Sequence, residues 1–530
     1  MADTAAGAAW TRVAAEADLK EGTPIVVDTA GEDKALLVRV KGKLYAVSHE
    51  CPHYQEKLEN GVLFGTEIVC KSHLARMDVT TGRLVAGPAC NDLPVYPVKV
   101  EKGEVWLGKP ENPKFPKPPA NLGSDPRVFL IVGAGAAGNS AAEWLRRKGF
   151  AGRIVIVTPE TDRPYDRPNL SKDFITGKSG EDWLPLHGSK FYPAQGIELL
   201  TGKRVVALDP EKKTVRFEGG ETLSFDKALL ATGGTPRRLT IPGADGEASY
   251  LLRTAADART ILAAATRWKS VVLIGSGFIG LELAGSLGER GLAVSVVAPE
   301  PVPLAHIVGD RIGAYIKAQL EAKGVTFLLG RTPKEIAGAA GAKSVTLSDG
   351  TRLSAGFVVT GLGVQPAVEY LTSTPLVENG AVPVDADMRT RSRDIFAAGD
   401  IAAVPDREWG RRRVEHWVVA QRQGMRAAAS MLDEKPGRDE VDVFWSRLAG
   451  ASLKYVGHAK SFDQVVYRGS VEEGKFLAGF YLRGGLKAAA TIGLAQEIVA
   501  VEHLLRFDRP PSAAQLADSA FDLVRAAQAV

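Results

Sequence analysis

The stretch VFLIVGAGAAGNSAAEWLRRKGFAGRIVIVTPE, from Val128 to Glu160, decides the fold. An apolar run ends at Gly133, Gly135 and Gly138, and an amphipathic segment and a second apolar run follow. This order predicts a strand, a tight glycine turn, a helix and a parallel strand. Glycine lets the backbone approach a pyrophosphate at the helix N-terminus. Glu160 ends the second strand, where a carboxylate is placed to bond a ribose hydroxyl.

The same pattern recurs in SVVLIGSGFIGLELAGSLGERGLAVSVVAPE, from Ser270 to Glu300. Gly275, Gly277 and Gly280 repeat the glycine spacing, and Glu300 follows twenty residues after the last glycine. One such turn is a weak signal, because glycine also serves packing. Two copies predict two doubly wound α/β domains that bind two dinucleotides. We expect FAD in the first and NAD(P)H in the second.

The first 108 residues contain short β-rich runs and predict a small all-β domain. Two mixed motifs lie in it, C-x-H and C-x2-H, with the candidate ligands Cys51, His53, Cys70 and His73. Two cysteines and two histidines on two loops can hold a Rieske [2Fe–2S] cluster, one pair on each iron. A structural zinc site is the alternative, although zinc motifs more often pair like ligands.

A change in composition separates this domain from the rest. Residues 109–126 hold six prolines in eighteen positions and predict a semi-rigid linker that spans up to roughly 55 Å. The expected fold is therefore multidomain. The predicted parts are an all-β Rieske domain at 1–108, the Pro-rich linker at 109–126, an FAD-binding domain at 127–250 and 377–436, an NAD(P)H-binding domain at 251–376, and a small α+β C-terminal domain with a helical tail at 437–530.

Composition excludes several classes of function. The 530-residue chain carries 66 basic and 62 acidic residues, a net charge of +4, which is too balanced to indicate a nucleic-acid partner or a membrane surface. No apolar run approaches the ~18 residues of a membrane span. The N-terminus lacks the pattern of a signal peptide, so we expect a cytoplasmic protein.

Cysteine usage limits the chemistry further. The chain has only Cys51, Cys70 and Cys90, so the remaining residues work without a thiol. Flavin enzymes that reduce disulfides need a cysteine pair beside the flavin, and related peroxidases need one nucleophilic cysteine. Thiol relay at the flavin is therefore excluded. Cys90 has no evident partner and is interpreted as an ordinary thiol.

Six further segments occur in the order expected of a known family: RPYDRPNLSKDF (163–174), ATGGTPR (231–237), GFIGLELA (277–284), GLGVQP (361–366), IFAAGDIA (395–402) and RVEHWVVAQRQG (413–424). Together with the motifs above, they resemble the FAD-dependent pyridine-nucleotide oxidoreductases. The resemblance is to ferredoxin reductases of oxygenase systems and to apoptosis-inducing-factor-like proteins, in particular those with a fused Rieske domain. It extends from about residue 10 to about residue 500.

The resemblance implies roles for matching residues. FAD would be bound by Gly133, Gly135, Gly138, Glu160, Arg167, Lys172, Ala231, Thr232, Gly233, Asp400, Glu415, His416 and Trp417. NAD would be bound by Gly275, Gly277, Gly280, Glu282, Glu300 and Gly363. Lys172, Glu282 and Trp417 would take part in the reaction, with Lys172 near flavin N5 and Glu282 as its ion-pair partner. Such a positive group stabilises the anionic reduced flavin. Phe444-Trp445-Ser446 resembles the aromatic segment that covers the flavin.

The sequence departs from the family at several positions. Glycine is usual where Gln55 and Leu74 stand, and Pro-Trp is usual where Lys71-Ser72 stands. Relatives place an acidic residue at the position of Ala298, and Glu300 is the nearby substitute. Because no arginine that could grip a 2′-phosphate is evident there, NADH is favoured over NADPH.

The resemblance implies that NAD(P)H reduces FAD, that the Rieske cluster accepts the electrons, and that an external acceptor receives them. This acceptor is an oxygenase, a cytochrome, a quinone or a small molecule. Two alternatives remain open, an NADH oxidase or diaphorase with a structural cluster, and a redox-sensing signalling protein without enzymatic function. The resemblance is also compatible with a homodimer.

Overall fold

The computed structural model describes residues 10–31, 33–111, 115–437 and 440–530. The N-terminal domain consists of β-strands, as predicted. Its three sheets, in spatial order, are Thr11–Ala15, Glu104–Leu107 and Val98–Glu101; Ile25–Asp28, Lys34–Val40, Lys43–Ser48 and Val95–Tyr96; and Val62–Phe64, Glu67–Val69, Arg76–Asp78 and Leu84–Ala86. Short 3-10 turns occur at Glu16–Asp18 and Leu58–Asn60. The two predicted ligand loops follow strands that pack on one apolar core.

The two glycine-rich repeats form two sheets of the same parallel topology. The first sheet has the order Ile197–Leu200, Arg153–Val157, Val128–Val132, Lys227–Leu230, Ile395–Ala397. The second has the order Thr326–Leu329, Ala293–Ala298, Ser270–Ile274, Phe357–Thr360, Ser249–Leu251. In each, the strand that enters the glycine turn is central and fully paired. The predicted boundary between residues 250 and 251 falls inside the last of these strands.

Antiparallel additions complete the two α/β domains. Each carries a three-stranded meander, made of Val205–Asp209, Thr214–Phe217 and Thr222–Ser224 in the first and of Pro333–Ala337, Lys343–Leu347 and Arg352–Ala355 in the second. The pair Gly234–Pro236 and Val364–Pro366 joins the domains, and Val382–Pro383, Ala402–Asp406 and Gly410–Arg412 form a small sheet. The helices are Ala136–Arg147, Asp173–Thr176, Phe191–Ala194, Ala255–Arg267, Phe278–Glu289, Ala305–Val308, Asp310–Glu321 and Trp417–Met431, with 3-10 turns at Arg167–Ser171, Glu181–Trp183, Glu369–Leu371 and Gly399–Ile401.

The C-terminal domain is one antiparallel sheet covered by helices. Its strands, in spatial order, are Val443–Leu448, Ala451–Gly457, Gly485–Ile492, Lys475–Leu482 and Gln464–Ser470. The helices are Ala495–Arg506, Ala513–Ala517 and Leu523–Gln528. Val62, Phe64, Val69 and Leu74 of the N-terminal domain belong to the same buried cluster as this domain's core. The two domains therefore share a hydrophobic core, which holds them together.

The described part of the predicted linker, residues 115–126, has no helix or strand, in keeping with its prolines. It lies against the first α/β domain: the Phe115 ring is 4.9 Å from that of Phe191 and 4.3 Å from the Arg147 guanidinium. The backbone N–H of Gly123 also donates to this domain, at 2.6 Å. These residues are packed in place, so the expectation of a spanning tether does not hold for them. Proline content sets stiffness, whereas Phe115 supplies a contact that composition does not reveal.

No helix in the ranges that the structure describes combines the length and the hydropathy needed to cross a membrane.

Candidate functional site

Both glycine turns have the shape that a pyrophosphate needs. Gly133 has φ +113°, and a Cβ there would lie 2.1 Å from the carbonyl oxygen of Ala231. Gly135 faces open space and begins the helix Ala136–Arg147 without a side-chain cap. The free N–H groups of that first turn therefore remain available for an anion. These observations fit the pyrophosphate of FAD at the first turn.

The second turn repeats this geometry. A Cβ on Gly275 would lie 2.3 Å from the carbonyl oxygen of Gly361, and Gly277 faces open space at the start of the uncapped helix Phe278–Glu289. A Cβ on Gly280 would meet the Gly275 carbonyl oxygen at 2.3 Å. Glu300 lies beside this turn, where its carboxylate accepts from the Ser276 hydroxyl at 3.2 Å. The turn, the helix and Glu300 fit a second dinucleotide.

Glu160 and Arg167 meet at the edge of the first site. The Arg167 guanidinium donates to Glu160 at 2.8 Å and to the Tyr165 hydroxyl at 2.8 Å. Tyr165 in turn donates to Glu160 at 2.5 Å, and burial raises the pKa of Tyr165. Both residues predicted to contact FAD are therefore held by a third, which the sequence did not single out.

The remaining residues predicted for FAD surround the end of the first sheet. Ala231, Thr232 and Gly233 follow the strand Lys227–Leu230, and the Thr232 hydroxyl donates to the Ala367 carbonyl at 2.7 Å. Asp400 is buried and accepts from Arg253 at 2.9 Å, a partner that was not predicted. In the same way, Gly363 has φ +78° and faces open space near the second site.

Glu415, His416 and Trp417 come at the start of the helix Trp417–Met431 and have different surroundings. Glu415 is exposed and pairs with Arg413. The His416 ring lies 4.5 Å from that of Phe444, and burial lowers the pKa of His416 to about 4. Trp417 is partly buried against the core of the first α/β domain. The structure thus places His416, rather than Glu415, against the aromatic segment of the C-terminal domain.

Lys172 and Glu282 form an ion pair between the two α/β domains. The Lys172 Nζ lies 2.8 Å from Glu282, whose side chain is only 6% exposed. Ser171 and Ser446 both donate to this carboxylate, Ser446 at 2.6 Å. Glu282 therefore faces Lys172 and the C-terminal domain, and the four side chains hold one buried carboxylate in a fixed position.

The four predicted metal ligands converge in the N-terminal domain. The Nδ1 atoms of His53 and His73 lie 3.1 Å apart. The thiols of Cys51 and Cys70 are in hydrogen-bond contact, which raises the pKa of Cys51 and lowers that of Cys70. Burial lowers the pKa of His53 to about 3 and that of His73 well below its usual range, which keeps both imidazoles neutral. Two thiols facing two neutral imidazoles are a donor set that fits a Rieske cluster.

The departures from the family pattern are accommodated locally. Gln55 and Leu74 have φ +55° and +58°, a region that costs a non-glycine residue roughly 1–2 kcal/mol. Each donates its backbone N–H to the cysteine of its own loop, Gln55 to Cys51 at 2.9 Å and Leu74 to Cys70 at 3.0 Å. Glu56 joins the two loops, because Ser72 donates to it at 2.5 Å. Both loops therefore keep the same turn without glycine.

The N-terminal domain places its ligand loops on the flavin side of the α/β domains. The His73 ring lies 4.3 Å from the indole of Trp445, the residue before Ser446. The Tyr54 hydroxyl, beside His53, donates to the buried Asp166, beside Arg167. Tyr54, Asp166 and the position of Trp445 could not be found by local sequence pattern, since the Tyr54–Asp166 contact spans 112 residues.

Three family models cover this arrangement. Residues 128–424 match the pyridine nucleotide-disulphide oxidoreductase family, 9–97 the Rieske [2Fe-2S] domain and 443–527 the reductase C-terminal domain. The chain belongs to the pyridine nucleotide-disulphide oxidoreductases. It is an FAD-dependent NAD(P)H oxidoreductase of the ferredoxin-reductase type, with a Rieske domain and its [2Fe–2S] cluster. The predicted family, fold class, enzyme class and cofactors are confirmed.

Known members of this oxidoreductase family resemble the chain over different lengths. Apoptosis-inducing factor 3 of Homo sapiens is 36% identical and covers 88% of this chain and 79% of its own length. The ferredoxin–NAD(+) reductase component of the anthranilate 1,2-dioxygenase system of Burkholderia cepacia is 35% identical and covers 75% and 98%. A crystal structure of a ferredoxin reductase from Rhodopseudomonas palustris matches with a TM-score of 0.72, 35% identity, and 76% and 100% coverage.

Proposed function

We propose that this protein oxidises NADH and delivers the electrons through FAD to its own Rieske cluster, from which an external acceptor takes them. The ring contact between His73 and Trp445 carries the proposal. It joins a predicted cluster ligand to the segment whose next residue, Ser446, binds Glu282. The relative from Burkholderia cepacia, a ferredoxin–NAD(+) reductase component, supports the same direction of electron flow.

Two separate contacts connect the cluster loops to the residues proposed for the flavin. One leads from His73 through Trp445 and Ser446 to Glu282, and the other leads from Tyr54 to Asp166. Asp166 is buried, and burial raises the pKa of its carboxyl group. Because both ligand loops touch the same face of the reductase, we propose that the domain is docked for electron transfer within one chain.

When bound, FAD accepts a hydride from NADH and can release electrons singly, and the cluster carries one electron at a time. The protein's own residues orient and tune these groups. In the proposal, the N–H groups at Gly135 and Gly277 hold the two pyrophosphates, and Lys172 supplies positive charge to the reduced flavin. Glu282 fixes the ammonium group of Lys172 at 2.8 Å.

The choice of NADH rests on Glu300. Its carboxylate lies at the end of the strand Ala293–Ala298, beside the second glycine turn, where it can accept hydrogen bonds from ribose hydroxyls. A 2′-phosphate at the same place would be repelled by this charge. The acceptor beyond the cluster is proposed only by class, as an oxygenase component, a cytochrome, a quinone or a small molecule.

We also propose that the protein acts in the cytoplasm. Its three cysteines form no disulfide among the described residues, and two of them belong to the predicted cluster. A reducing compartment keeps such thiols available as ligands.

Rapid mixing of the purified protein with NADH, without oxygen, tests the proposal. We expect bleaching of the flavin followed by bleaching of the cluster in a first-order step whose rate does not change with protein concentration. A cluster that stays oxidised, or a rate proportional to protein concentration, would contradict transfer within the chain. Full NADH turnover with oxygen in protein whose cluster stays oxidised would instead indicate the oxidase alternative.

A further inference from the structure

A second group of metal-binding side chains lies between the Rieske domain and the first α/β domain. It consists of Cys90, Glu143 and His187, whose sulfur, carboxylate oxygen and imidazole nitrogen all lie within 4.8 Å of one another. We propose that these three residues bind one Zn²⁺ ion that ties the Rieske domain to the reductase. None of the three belongs to the predicted cluster or dinucleotide sites.

The three residues come from three separate elements. Cys90 lies in the loop after the Rieske strand Leu84–Ala86. Glu143 lies on the helix Ala136–Arg147, two turns beyond the pyrophosphate site, and His187 precedes the short helix Phe191–Ala194. The site therefore exists only when the two domains are docked, and a metal ion in it would stabilise the docked arrangement.

The donor types are those of a zinc site. Zinc binds thiolate sulfur at about 2.3 Å and imidazole or carboxylate atoms at about 2.0–2.2 Å, in tetrahedral geometry. Donor atoms around such an ion are then roughly 3.3–3.8 Å apart. Here the His187 Nε2 and the Glu143 Oε1 are 2.7 Å apart, and the sulfur lies within 4.8 Å of both. Shifts of about 1 Å would bring three ligands into place, and water would complete the tetrahedron.

A second set of residues already orients these donors. The Asn139 amide donates to Glu143 at 2.5 Å and itself accepts from the Tyr192 hydroxyl at 2.8 Å. The His187 ring is stacked on Phe191, with centroids 3.6 Å apart and 9° between the planes. Outer hydrogen bonds and packing of this kind fix metal ligands and raise metal affinity.

The surroundings also suit a dication. Cys90 is partly exposed as a residue, but its thiol is enclosed in the interface, and Glu143 and His187 are buried. A thiolate and a carboxylate together carry two negative charges, which Zn²⁺ neutralises. Arg147 fixes the Cys90 loop by donating to the Cys90 carbonyl at 2.8 Å and to Asp92 at 2.6 Å. It engages the loop through these two acceptors, and in the proposal the sulfur remains free for the metal.

The test is metal analysis and zinc-edge X-ray absorption of the complete protein loaded with FAD and iron. We expect one zinc ion per chain in addition to the two irons of the cluster. Its coordination shell would contain one sulfur at about 2.3 Å and two or three nitrogen or oxygen atoms. Zinc in the cluster site would show two sulfurs and would replace iron. Absence of zinc, or a shell with two sulfurs, would overturn the proposal.

Variants locate the ion independently. In Cys90→Ser and His187→Asn we expect the zinc content to fall about tenfold or more, with iron and FAD unchanged. His306→Gln, which changes an exposed histidine, is the matched control and keeps its zinc. Retention of zinc in a variant that still holds FAD and iron would overturn the assignment. If a variant loses FAD, the absorption spectrum of the unaltered protein decides the question.

Discussion

The imidazole of His73 and the indole of Trp445 lie 4.3 Å apart, across the boundary between the Rieske domain and the C-terminal domain. His53 lies farther from the same indole, at 6.1 Å. Trp445 therefore contacts the two predicted histidine ligands from the reductase side, while its neighbour Ser446 binds the carboxylate that holds Lys172. This contact places an aromatic ring between the two proposed redox groups.

Replacement of Trp445 by leucine should slow reduction of the cluster several-fold and leave reduction of the flavin by NADH unchanged. The reason is that the indole fills the space between His73 and the flavin site, and leucine removes most of this contact. Anaerobic stopped-flow spectra separate the two steps. Trp183→Leu, at an indole that is 62% exposed, serves as the control. Equal cluster rates in both variants would exclude a role for Trp445.

Replacement of Glu282 by glutamine should destabilise the protein by about 3 kcal/mol and raise the midpoint potential of the flavin, because it leaves the partly buried Lys172 charge unpaired. An unpaired ammonium group holds the anionic reduced flavin more strongly. Thermal unfolding and a potentiometric titration measure the two effects. Glu289→Gln removes the exposed pair with Lys178 and should cost less than about 1 kcal/mol. A potential that does not move in Glu282→Gln would place Lys172 away from the flavin.

Replacement of Glu300 by alanine should lower kcat/KM for NADH about tenfold or more, since hydrogen bonds to a charged group contribute roughly 1.5–3 kcal/mol. The value for NADPH should stay the same or rise, because the repulsion of a 2′-phosphate is lost. Steady-state rates with both nucleotides give the ratio. Glu321→Ala, at the exposed carboxylate paired with Lys317, is the control. An unchanged ratio would mean that specificity lies elsewhere.

Acid should loosen the contact between the Rieske and C-terminal domains through His503. Its ring is stacked on Phe64 of the Rieske domain at 3.9 Å, and burial, together with the charge of Arg76, lowers its pKa to about 4. The unfolded chain, with a pKa near 6.5, binds the proton first, so stability present above this value is lost as the pH falls towards 4.

Between about pH 7.5 and about pH 5, His503 should account for a loss of about 2 kcal/mol in the free energy of unfolding. His503→Phe keeps an aromatic ring but cannot titrate, so its loss over this range should be smaller by that amount in urea titrations. His306→Phe, on the surface, should behave like the unaltered protein. The same loss in all three proteins would show that His503 does not sense the pH.

Much of the molecule follows from local pattern. The two glycine turns, Glu160, Glu300 and the four cluster ligands are recognisable because backbone geometry and metal chemistry demand these residues at these spacings. The two parallel sheets follow in turn, since each is built around the strand that enters a glycine turn.

What the sequence could not supply is the arrangement of the domains. The contact of Tyr54 with Asp166 joins residues far apart in the chain, and neither residue carries a pattern that names the other. Cys90 is unpaired in the sequence, yet the fold brings Glu143 and His187 to it. Prolines in the linker predict stiffness, whereas packing of Phe115 on Phe191 decides where residues 115–126 lie.

The most direct test of the central claim is an anaerobic titration with NADH, followed by visible absorption and by EPR of frozen samples. The account predicts bleaching of the flavin together with the rhombic EPR signal of a reduced Rieske cluster in the same molecules. Complete bleaching of the flavin without that signal, in protein that contains two irons per chain, would contradict electron transfer from the flavin to the fused cluster.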